Sequence, residues 1–363
     1  MQIGLLELNN FRNYESLSIE FSDGINIIYG ENGQGKTNIL ESIYMCSTGK
    51  SHKGSKEREL IRHNQEEAHI KAEFKGELGS RRIDIHLKKN KEKGIALNKI
   101  PLRKLSELYG QIPMVIFSSE DLDIIKRGPS DRRRFIDIEL CQIDNIYIEN
   151  LISYNRLLVH RRELFKSLEE QDDKESLLET LDVLNLQLVN YGTEIIKRRK
   201  VFIEELNNVI RDVHYEITSG TEEIKLIYEP SVGEEDFYEE LLRNKERDSI
   251  LKQTSVGPHR DDLIFLSNDI NMKTFGSNGQ QRTCALSLKL SEIKLIKEKK
   301  RERPILLLDD VLSELDRSRQ KMLLKSLNNS QTIITCTGIE EFINEEAKTA
   351  ERFFIKDAVV VNE

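Results

Sequence analysis

The pattern of apolar and polar positions changes along the chain and separates it into three stretches. In the N-terminal stretch, short apolar or alternating segments predict strands, because successive side chains on a strand point to opposite faces. The predicted strands are residues 2–8, 17–21, 25–29, 68–74, 82–87, 94–100 and 114–117. Only the segment after Lys36 predicts a helix within the first hundred residues.

The middle stretch has helical periodicity. Apolar residues recur there at alternating spacings of four and three, which is typical of an amphipathic helix. One series is Ile143, Tyr147, Leu151, Tyr154, Leu158, Phe165 and Leu168, and the next is Leu177, Leu181, Leu184, Leu188, Tyr191, Ile195, Phe202, Leu206, Val209 and Val213. The polar segment 169–175 between them favours an antiparallel hairpin. Two helices of ~35 residues would each reach about 50 Å, so we favour a short coiled-coil-like lobe over two ordinary bundle helices.

Strand patterns return in the last stretch. Residues 220–248 are acidic and predict loops, whereas 263–265, 305–308 and 332–335 predict strands and a helix begins near Gly279. We therefore expect an α/β fold in which a mixed sheet surrounds the core. The predicted domains are a discontinuous head at 1–130 and 250–363, with the helical lobe inserted at 131–249.

Composition argues against a membrane protein, a zinc protein and a disulfide-rich protein. The chain has 363 residues, 33% of them charged, and a formal net charge of −8. It contains no apolar run long enough to cross a bilayer and no basic-then-apolar leader at its start, so a cytoplasmic location without a membrane is expected. The four cysteines lie far apart and indicate neither a zinc site nor a disulfide framework.

A phosphate-binding loop follows the predicted strand 25–29. The segment fits the pattern G-x-x-x-x-G-K-[ST] and consists of Gly30, Glu31, Asn32, Gly33, Gln34, Gly35, Lys36 and Thr37. Its glycines allow backbone N–H groups to turn toward phosphate oxygens, and the helix that follows adds its positive end. Lys36 is expected to neutralise the β and γ phosphates of ATP, and the Thr37 hydroxyl to bind Mg²⁺.

Two carboxylates end the apolar strand 305–308. Beside a phosphate-binding loop, Asp309 is expected to reach the Mg²⁺ shell and Asp310 to face the attacking water. The alternative is that the pair only caps the strand or begins the next helix. Asp310 could also act indirectly, with another residue orienting the water.

A Ser-x-Gly-Gln motif stands before the predicted helix near Gly279. Ser277, Gly279 and Gln280 would lie at the positive end of this helix, where they could bind a second anion. The alternative is a glycine-containing turn with Ser277 as the N-cap.

Taken together in this order, the motifs resemble the ATP-binding cassette (ABC) superfamily, and more closely the RecF family in its SMC-like branch. The segments that carry the resemblance are Asn10-Phe11-Arg12-Asn13-Tyr14, Gly49-Lys50-Ser51-His52, Arg132-Arg133-Arg134-Phe135, Gly257-Pro258-His259-Arg260-Asp261-Asp262 and Leu307-Leu308-Asp309-Asp310-Val311-Leu312-Ser313-Glu314-Leu315-Asp316. They span nearly the whole chain. The last segment ends in Ser313-Glu314-Leu315-Asp316, which matches the D-loop of the superfamily.

The resemblance implies a mechanism. ATP and Mg²⁺ would be sandwiched in a homodimer, with Ser277 of one copy meeting the phosphate held by Lys36 of the other, and Arg12 would contact phosphate. Catalysis would involve Lys36 and Asp310. Because many ABC enzymes have Glu where Asp310 stands, hydrolysis is expected to be slow. Cys336 and Thr337 stand where the superfamily has a switch histidine, so the resemblance assigns no γ-phosphate sensor.

The resemblance also implies binding to duplex or gapped DNA, and cooperation with RecR and RecO to promote RecA loading. Basic clusters that could meet DNA phosphates include Arg132, Arg133, Arg161 and Arg198. Such runs are also typical of solvated helix faces. Two other functions compete with a DNA-dependent ATPase: an ATP-gated scaffold without obligatory hydrolysis, and a transporter motor, which the helical lobe disfavours.

Overall fold

The computed structural model describes residues 1–77, 79–170, 174–327, 330–338 and 349–361. The chain forms two compact units. The first unit contains Met1–Asp121 and Leu288–Glu363, and the second contains Leu122–Ser287.

The described elements are strands and helices, and each type often occurs in consecutive runs along the chain. The strands are β1 (Gln2–Phe11), β2 (Tyr14–Glu20), β3 (Ile25–Tyr29), β4 (Glu67–Gly76), β5 (Gly79–Lys88), β6 (Lys91–Leu97), β7 (Ile100–Pro101), β8 (Met114–Ser118), β9 (Ile224–Glu229), β10 (Asp262–Ser267), β11 (Ile270–Asn271), β12 (Ile305–Asp309), β13 (Thr332–Cys336), β14 (Glu351–Lys356) and β15 (Val359–Val361). The helices are α1 (Lys36–Thr48), α2 (Glu57–Leu60), α3 (Asp121–Lys126), α4 (Pro129–Ile143), α5 (Asn145–Glu170), α6 (Lys174–Ile217), α7 (Phe237–Arg243), α8 (Lys245–Leu251), α9 (Met272–Phe275), α10 (Asn278–Lys300) and α11 (Arg317–Ser326).

Two six-stranded sheets form the first unit. One is antiparallel, with the order β2-β1-β4-β5-β6-β7. The other has the order β15-β14-β3-β13-β12-β8, and all its pairs are parallel except β14 with β15. Helix α1 packs against both sheets, and its buried Ile39, Leu40 and Ile43 join their cores.

Burial follows the sequence pattern in both sheets. Every residue of β12 up to its final aspartate is buried, as expected for a parallel strand covered on both faces. Strand β4 alternates instead: Ala68, Ile70 and Phe74 are buried, while Glu67 and His69 are exposed on the other face. The predicted strands at 2–8, 25–29, 68–74, 82–87, 114–117, 305–308 and 332–335 are confirmed.

Some predictions were wrong in detail. The single strand expected at 94–100 is two strands, because Asn98 and Lys99 adopt positive φ angles of 52° and 67° and form a tight turn between β6 and β7. The loops expected at 220–248 instead contain strand β9, helix α7 and most of helix α8.

Helices α5 and α6 dominate the second unit and run antiparallel, since Tyr147 contacts Arg199 and Arg161 contacts Asn185. They contain 26 and 44 residues, so the helices are unequal where equal lengths were expected. The centre of the predicted connection, 171–173, lies outside the described residues.

The second unit also holds a sheet, with the order β11-β10-β9. Because β10 pairs with β9, the segment that follows the helices belongs to this unit. Its limits, Leu122–Ser287, are therefore wider than the lobe expected at 131–249. Across the described part of the chain, no helix is both long and apolar enough to span a membrane.

Candidate nucleotide-binding site

Two glycines of the loop between β3 and α1 stand where no side chain fits. Gly30 has a φ of +147°, and a Cβ there would lie 2.3 Å from the carbonyl oxygen of Ile355. Gly35 has a φ of +108°, and its Cβ would lie within 2.8 Å of the Asn13 amide and the Tyr14 hydroxyl. The loop can approach its neighbours this closely because both positions lack side chains.

The turn between β1 and β2 supports the loop. Phe11 and Tyr14 are fully buried and pair across this two-residue turn. The Asn13 amide donates a hydrogen bond to the Gln34 carbonyl (3.1 Å) and accepts one from the Asn38 amide (2.8 Å). Asn13 therefore ties the turn to both the loop and α1.

The Lys36 ammonium lies inside the loop. It donates to the carbonyl oxygens of Gly30 (2.7 Å) and Glu31 (2.8 Å). Burial lowers the pKa of Lys36, and the nearby carboxylates of Asp310 and Asp309 oppose this effect. The loop thus holds a cation at its centre, with backbone N–H groups and the start of α1 beside it.

Thr37 and Asp309 meet although they are far apart in sequence. The Thr37 hydroxyl donates to Asp309 Oδ1 at 2.7 Å, and Thr335 Oγ1 donates to the same atom at 2.9 Å. Parallel strands β12 and β13 deliver Asp309 and Thr335 to one sheet edge. A hydroxyl and a carboxylate this close are oxygen donors of the kind that Mg²⁺ prefers, so the residues fit this ion.

Asp310 follows in a left-handed backbone conformation, with a φ of +55°. Its N–H donates to Thr335 Oγ1 at 3.1 Å. Burial raises the pKa of the Asp310 carboxyl, Lys36 lowers it and Asp309 raises it again. The carboxyl therefore lies in the same charged cluster as Lys36 and Asp309.

Sequence reasoning missed His52 as part of this site. Its imidazole is only 6% exposed, and Nε2 lies 3.9 Å from Asp309 Oδ2. The ring also packs edge-on against Tyr44 of α1. The one available signal was its place in the Gly-Lys-Ser-His segment after α1.

Arg12 forms an ion pair with a carboxylate on α1. Its Nε and one terminal nitrogen donate to the two carboxylate oxygens of Glu41 on α1, at 2.8 and 2.7 Å. Burial raises the pKa of Glu41, but hydrogen bonds from Arg12 and Ser51 outweigh burial and hold it below its usual value. Arg12 thus connects the β1–β2 turn to α1 through this ion pair.

An open cavity of about 1080 Å³ has in its lining Asn13, which donates a hydrogen bond to the loop at Gln34, and Asn38 of α1. Polar and basic side chains line much of it: Arg12, Asn13, Asn38, Arg58, Arg62 and His63. The last three were not identified from the sequence, because they are separated from the loop motif and match no pattern of their own.

The Ser-x-Gly-Gln motif begins α10 in the second unit. The Ser277 N–H donates to Gln280 Oε1 at 3.0 Å, and the Gln280 N–H donates to Ser277 Oγ at 3.2 Å. This reciprocal pair is a capping box. Gln280 also donates to Glu222 at 3.2 Å. The N-cap interpretation of Ser277 is therefore correct, and the residue is also exposed.

The segment after Asp310 contains the two predicted D-loop residues. Ser313 Oγ donates to the Asp310 carbonyl at 2.7 Å. Asp316 is the N-cap of α11 and accepts from the Arg319 N–H at 3.0 Å. Both side chains are exposed.

Comparisons with known proteins agree along the full length of the chain. The family model described as RecF/RecN/SMC N terminal domain matches residues 2–360. The DNA replication and repair protein RecF of Lachnospira eligens is 54% identical over 363 residues, covering 100% of both chains. The chain belongs to the RecF family. The RecF protein of Lachnoclostridium phytofermentans is 53% identical over 349 residues, which cover 96% of each chain.

Solved structures place this RecF family member among the ABC ATPase heads. The recombination mediator protein RecF-ATP in the RecFOR pathway has a TM-score of 0.91 and 36% identity, with 99% of this chain and 97% of that chain covered. An Smc head domain from Pyrococcus furiosus has a TM-score of 0.56 at 18% identity, covering 99% and 95%. The second likeness shows a shared fold, and the expected fold class is confirmed.

The structure corrects the prediction for two of the four arginines expected to bind DNA in this RecF family member. Arg132 is buried and pairs with Asp262 at 2.5 Å. Arg161 is fully buried, pairs with Asp248 at 2.7 Å and stacks on Phe165. Both guanidinium groups stabilise the second unit and face its interior.

The other two arginines are partly exposed. Arg133 donates to the Asp261 carbonyl at 2.6 Å, and Arg198 pairs with Asp144. Each retains some surface that a phosphate could reach.

Proposed function

We propose that the chain is an ATP-dependent DNA-binding protein of recombinational repair, whose ATP-induced homodimer binds duplex or gapped DNA. The observation that carries this proposal is the cluster of Lys36, Thr37, Asp309 and Asp310 at a glycine loop, in a chain of the RecF family. Lys36 and the loop N–H groups would hold the phosphates of ATP. The cavity beside Arg12 and Arg62 would receive its nucleoside.

The Thr37 hydroxyl and the Asp309 carboxylate would hold Mg²⁺, which neutralises phosphate charge when bound. The Asp310 carboxylate would orient the attacking water or accept a proton from that water. Its pKa is raised by burial, and Lys36 favours its charged form. Because Asp is one methylene shorter than Glu, we expect hydrolysis to be slow and to serve in resetting the dimer.

Dimerisation would follow from self-complementary surfaces. Ser277, Gly279 and Gln280 begin a helix of 23 residues, whose positive end favours an anion. In a two-fold dimer each copy would present this helix end to the ATP of the other, so one surface supplies both contacts. The exposed Ser313 and Asp316 would lie at the same interface.

For DNA, Arg133 and Arg198 are the candidates that keep an exposed surface, and they would meet phosphates without reading bases. The relatives' place in the RecFOR pathway supports RecR and RecO as partners in the cytoplasm, with RecA loaded downstream. On this proposal the protein supplies the DNA-bound platform for their action.

The test of catalysis is Asp310→Asn. We expect the variant to bind ATP but to hydrolyse it at least about a hundredfold more slowly, because an amide cannot accept the proton. ATP turnover should be measured by phosphate release, with and without gapped duplex DNA, and ATP affinity by calorimetry. Asp269→Asn, which changes an exposed carboxylate in the turn between β10 and β11, is the matched control. Unchanged turnover in Asp310→Asn would contradict the role.

A scaffold function competes because the shorter Asp310 stands where many ABC enzymes have Glu. On that account ATP binding alone drives assembly and hydrolysis is incidental. The same variant separates the two: full repair in cells that carry Asp310→Asn, without measurable hydrolysis, would support the scaffold, whereas loss of repair would support an ATPase cycle.

A further inference from the structure

A cluster of potential metal ligands lies on the exposed face of the antiparallel sheet in the first unit. Glu67 and His69 are two residues apart on β4, so their side chains share one face. His86 lies on β5 directly opposite His69. The other face of the same strands carries the buried Ala68 and Ile70, so the outward direction of the cluster is fixed by the core.

The ligand atoms converge. His86 Nε2 lies 3.0 Å from Glu67 Oε2, and the two imidazole rings are 3.8 Å apart between centroids with an angle of 33° between their planes. One ligand atom from each of the three residues lies within 4.8 Å of the others. On the neighbouring strand β6, the residue opposite His86 is Gly94, so this position adds no side chain beside the cluster.

The three side chains of the cluster favour some metal ions over others. Two imidazoles and one carboxylate suit zinc, nickel or copper, and a carboxylate alone would suit Mg²⁺ better.

We propose that Glu67, His69 and His86 form a binding site for one divalent transition metal ion, of the zinc class, with water completing its coordination. The ion would connect β4 to β5. The ammonium of Lys88 lies 3.9 Å from the Glu67 carboxylate, and a bound metal would displace this exposed and weak contact.

The site is independent of the proposed nucleotide site. None of its three residues lines the cavity or contacts the phosphate-binding loop in the described part of the chain. Binding of Zn²⁺ therefore can be measured on the full chain without ATP, and its failure would leave the proposed function untouched.

The experiment is calorimetric titration of the full, chelator-treated chain with zinc chloride. The comparison is between wild type, the double variant His69→Ala/His86→Ala, and the control His160→Ala, which removes an exposed histidine in the second unit. We expect one Zn²⁺ per chain in wild type and in the control. The double variant should bind more than about tenfold more weakly, since loss of even an outer partner of a metal ligand costs that much.

Two further measurements keep the proposal falsifiable. Glu67→Gln, which preserves shape, should also weaken Zn²⁺ binding, and urea denaturation in the presence of a chelator should show that all variants remain folded. Zn²⁺ should raise the unfolding midpoint of wild type and not that of the double variant. Equal Zn²⁺ affinity in wild type and the double variant, or no stoichiometric binding by wild type, would overturn the site.

Discussion

At the scale of single residues, the phosphate-binding loop depends on positions that admit no Cβ. A Cβ at Gly30 would lie 2.3 Å from the backbone oxygen of Ile355. A Cβ at Gly33 would have open space around it, so the strained φ of +83° is the single obstacle at that position. Gly33→Ala should therefore cost about 1 kcal/mol of unfolding free energy from backbone strain alone. Gly30→Ala should cost clearly more, because backbone must also move.

Urea denaturation without nucleotide, followed by far-ultraviolet circular dichroism, compares the two variants with wild type. Equal losses in both would show that strain, and not the contact with Ile355, decides the choice of glycine at position 30.

His259 gives the second unit a stability that depends on pH. Tyr154 OH lies 2.8 Å from Nδ1, and Nε2 lies 2.9 Å from the Thr254 carbonyl, an arrangement that suits the neutral ring. Burial lowers the pKa of His259 from 6.5 to about 4. The unfolded chain therefore binds more protons between these values, and stability falls as pH drops from 6.5 to 4.

This difference corresponds to about 3 kcal/mol. We expect His259→Gln, which can still donate and accept, to lose less unfolding free energy than wild type between pH 7 and pH 4.5. Urea midpoints at the two pH values measure the loss, and the exposed His63→Gln is the control. An identical loss in wild type and His259→Gln would contradict the assignment.

At the scale of elements, the first turn of α10 combines a structural and a proposed functional role in Ser277. Ser277→Ala should lower the unfolding free energy by about 1 kcal/mol because it removes the N-cap. Ser277→Asp should keep the stability, since Asp caps equally well. Its carboxylate would however repel the phosphate proposed to bind there. Thermal or urea unfolding separates the two variants, and equal destabilisation of both would contradict the capping role.

Elements with a strong local pattern could be predicted from the sequence. Strands β3, β8, β12 and β13 are short apolar runs, and the buried pattern of α6 follows its apolar spacing. Strand β9 was missed because its alternation is short and lies in an acidic segment. It pairs with β10, which lies far along the chain, so the stabilising contact is not local.

The candidate site also contains residues that the sequence predicts and residues that it does not. The phosphate-binding loop and the end of strand β12 carry motifs, so Lys36, Thr37 and Asp309 were expected to lie together. The contact of His52 with Asp309 and the ion pair of Arg12 with Glu41 depend on tertiary packing, so the segments that contain His52 and Arg12 stand out in the sequence but do not indicate their partners. Arg161 lies in a basic run that predicts a solvated face, yet Asp248 and Asn185, from elsewhere in the second unit, bury it.

At the scale of the whole molecule, the account requires a change of assembly. A chain with a net charge of −8 has no uniformly basic surface to attract DNA. DNA binding would then depend on local patches brought together by a dimer. ATP can favour that dimer only if it binds the dimer more tightly than the monomer, and the extra phosphate of ATP over ADP is the group that Ser277 of the other copy would contact.

Sedimentation velocity of the full chain with Mg²⁺ tests this claim most directly. The experiment compares three proteins: wild type, Asp310→Asn, in which ATP should stay intact, and Ser277→Asp. Each protein should be measured without nucleotide, with ADP and with ATP. The account predicts a dimer with ATP alone in wild type and Asp310→Asn, and a monomer under all three conditions in Ser277→Asp. A monomer under every condition in all three proteins, or a dimer that forms equally with ADP or in Ser277→Asp, would contradict it.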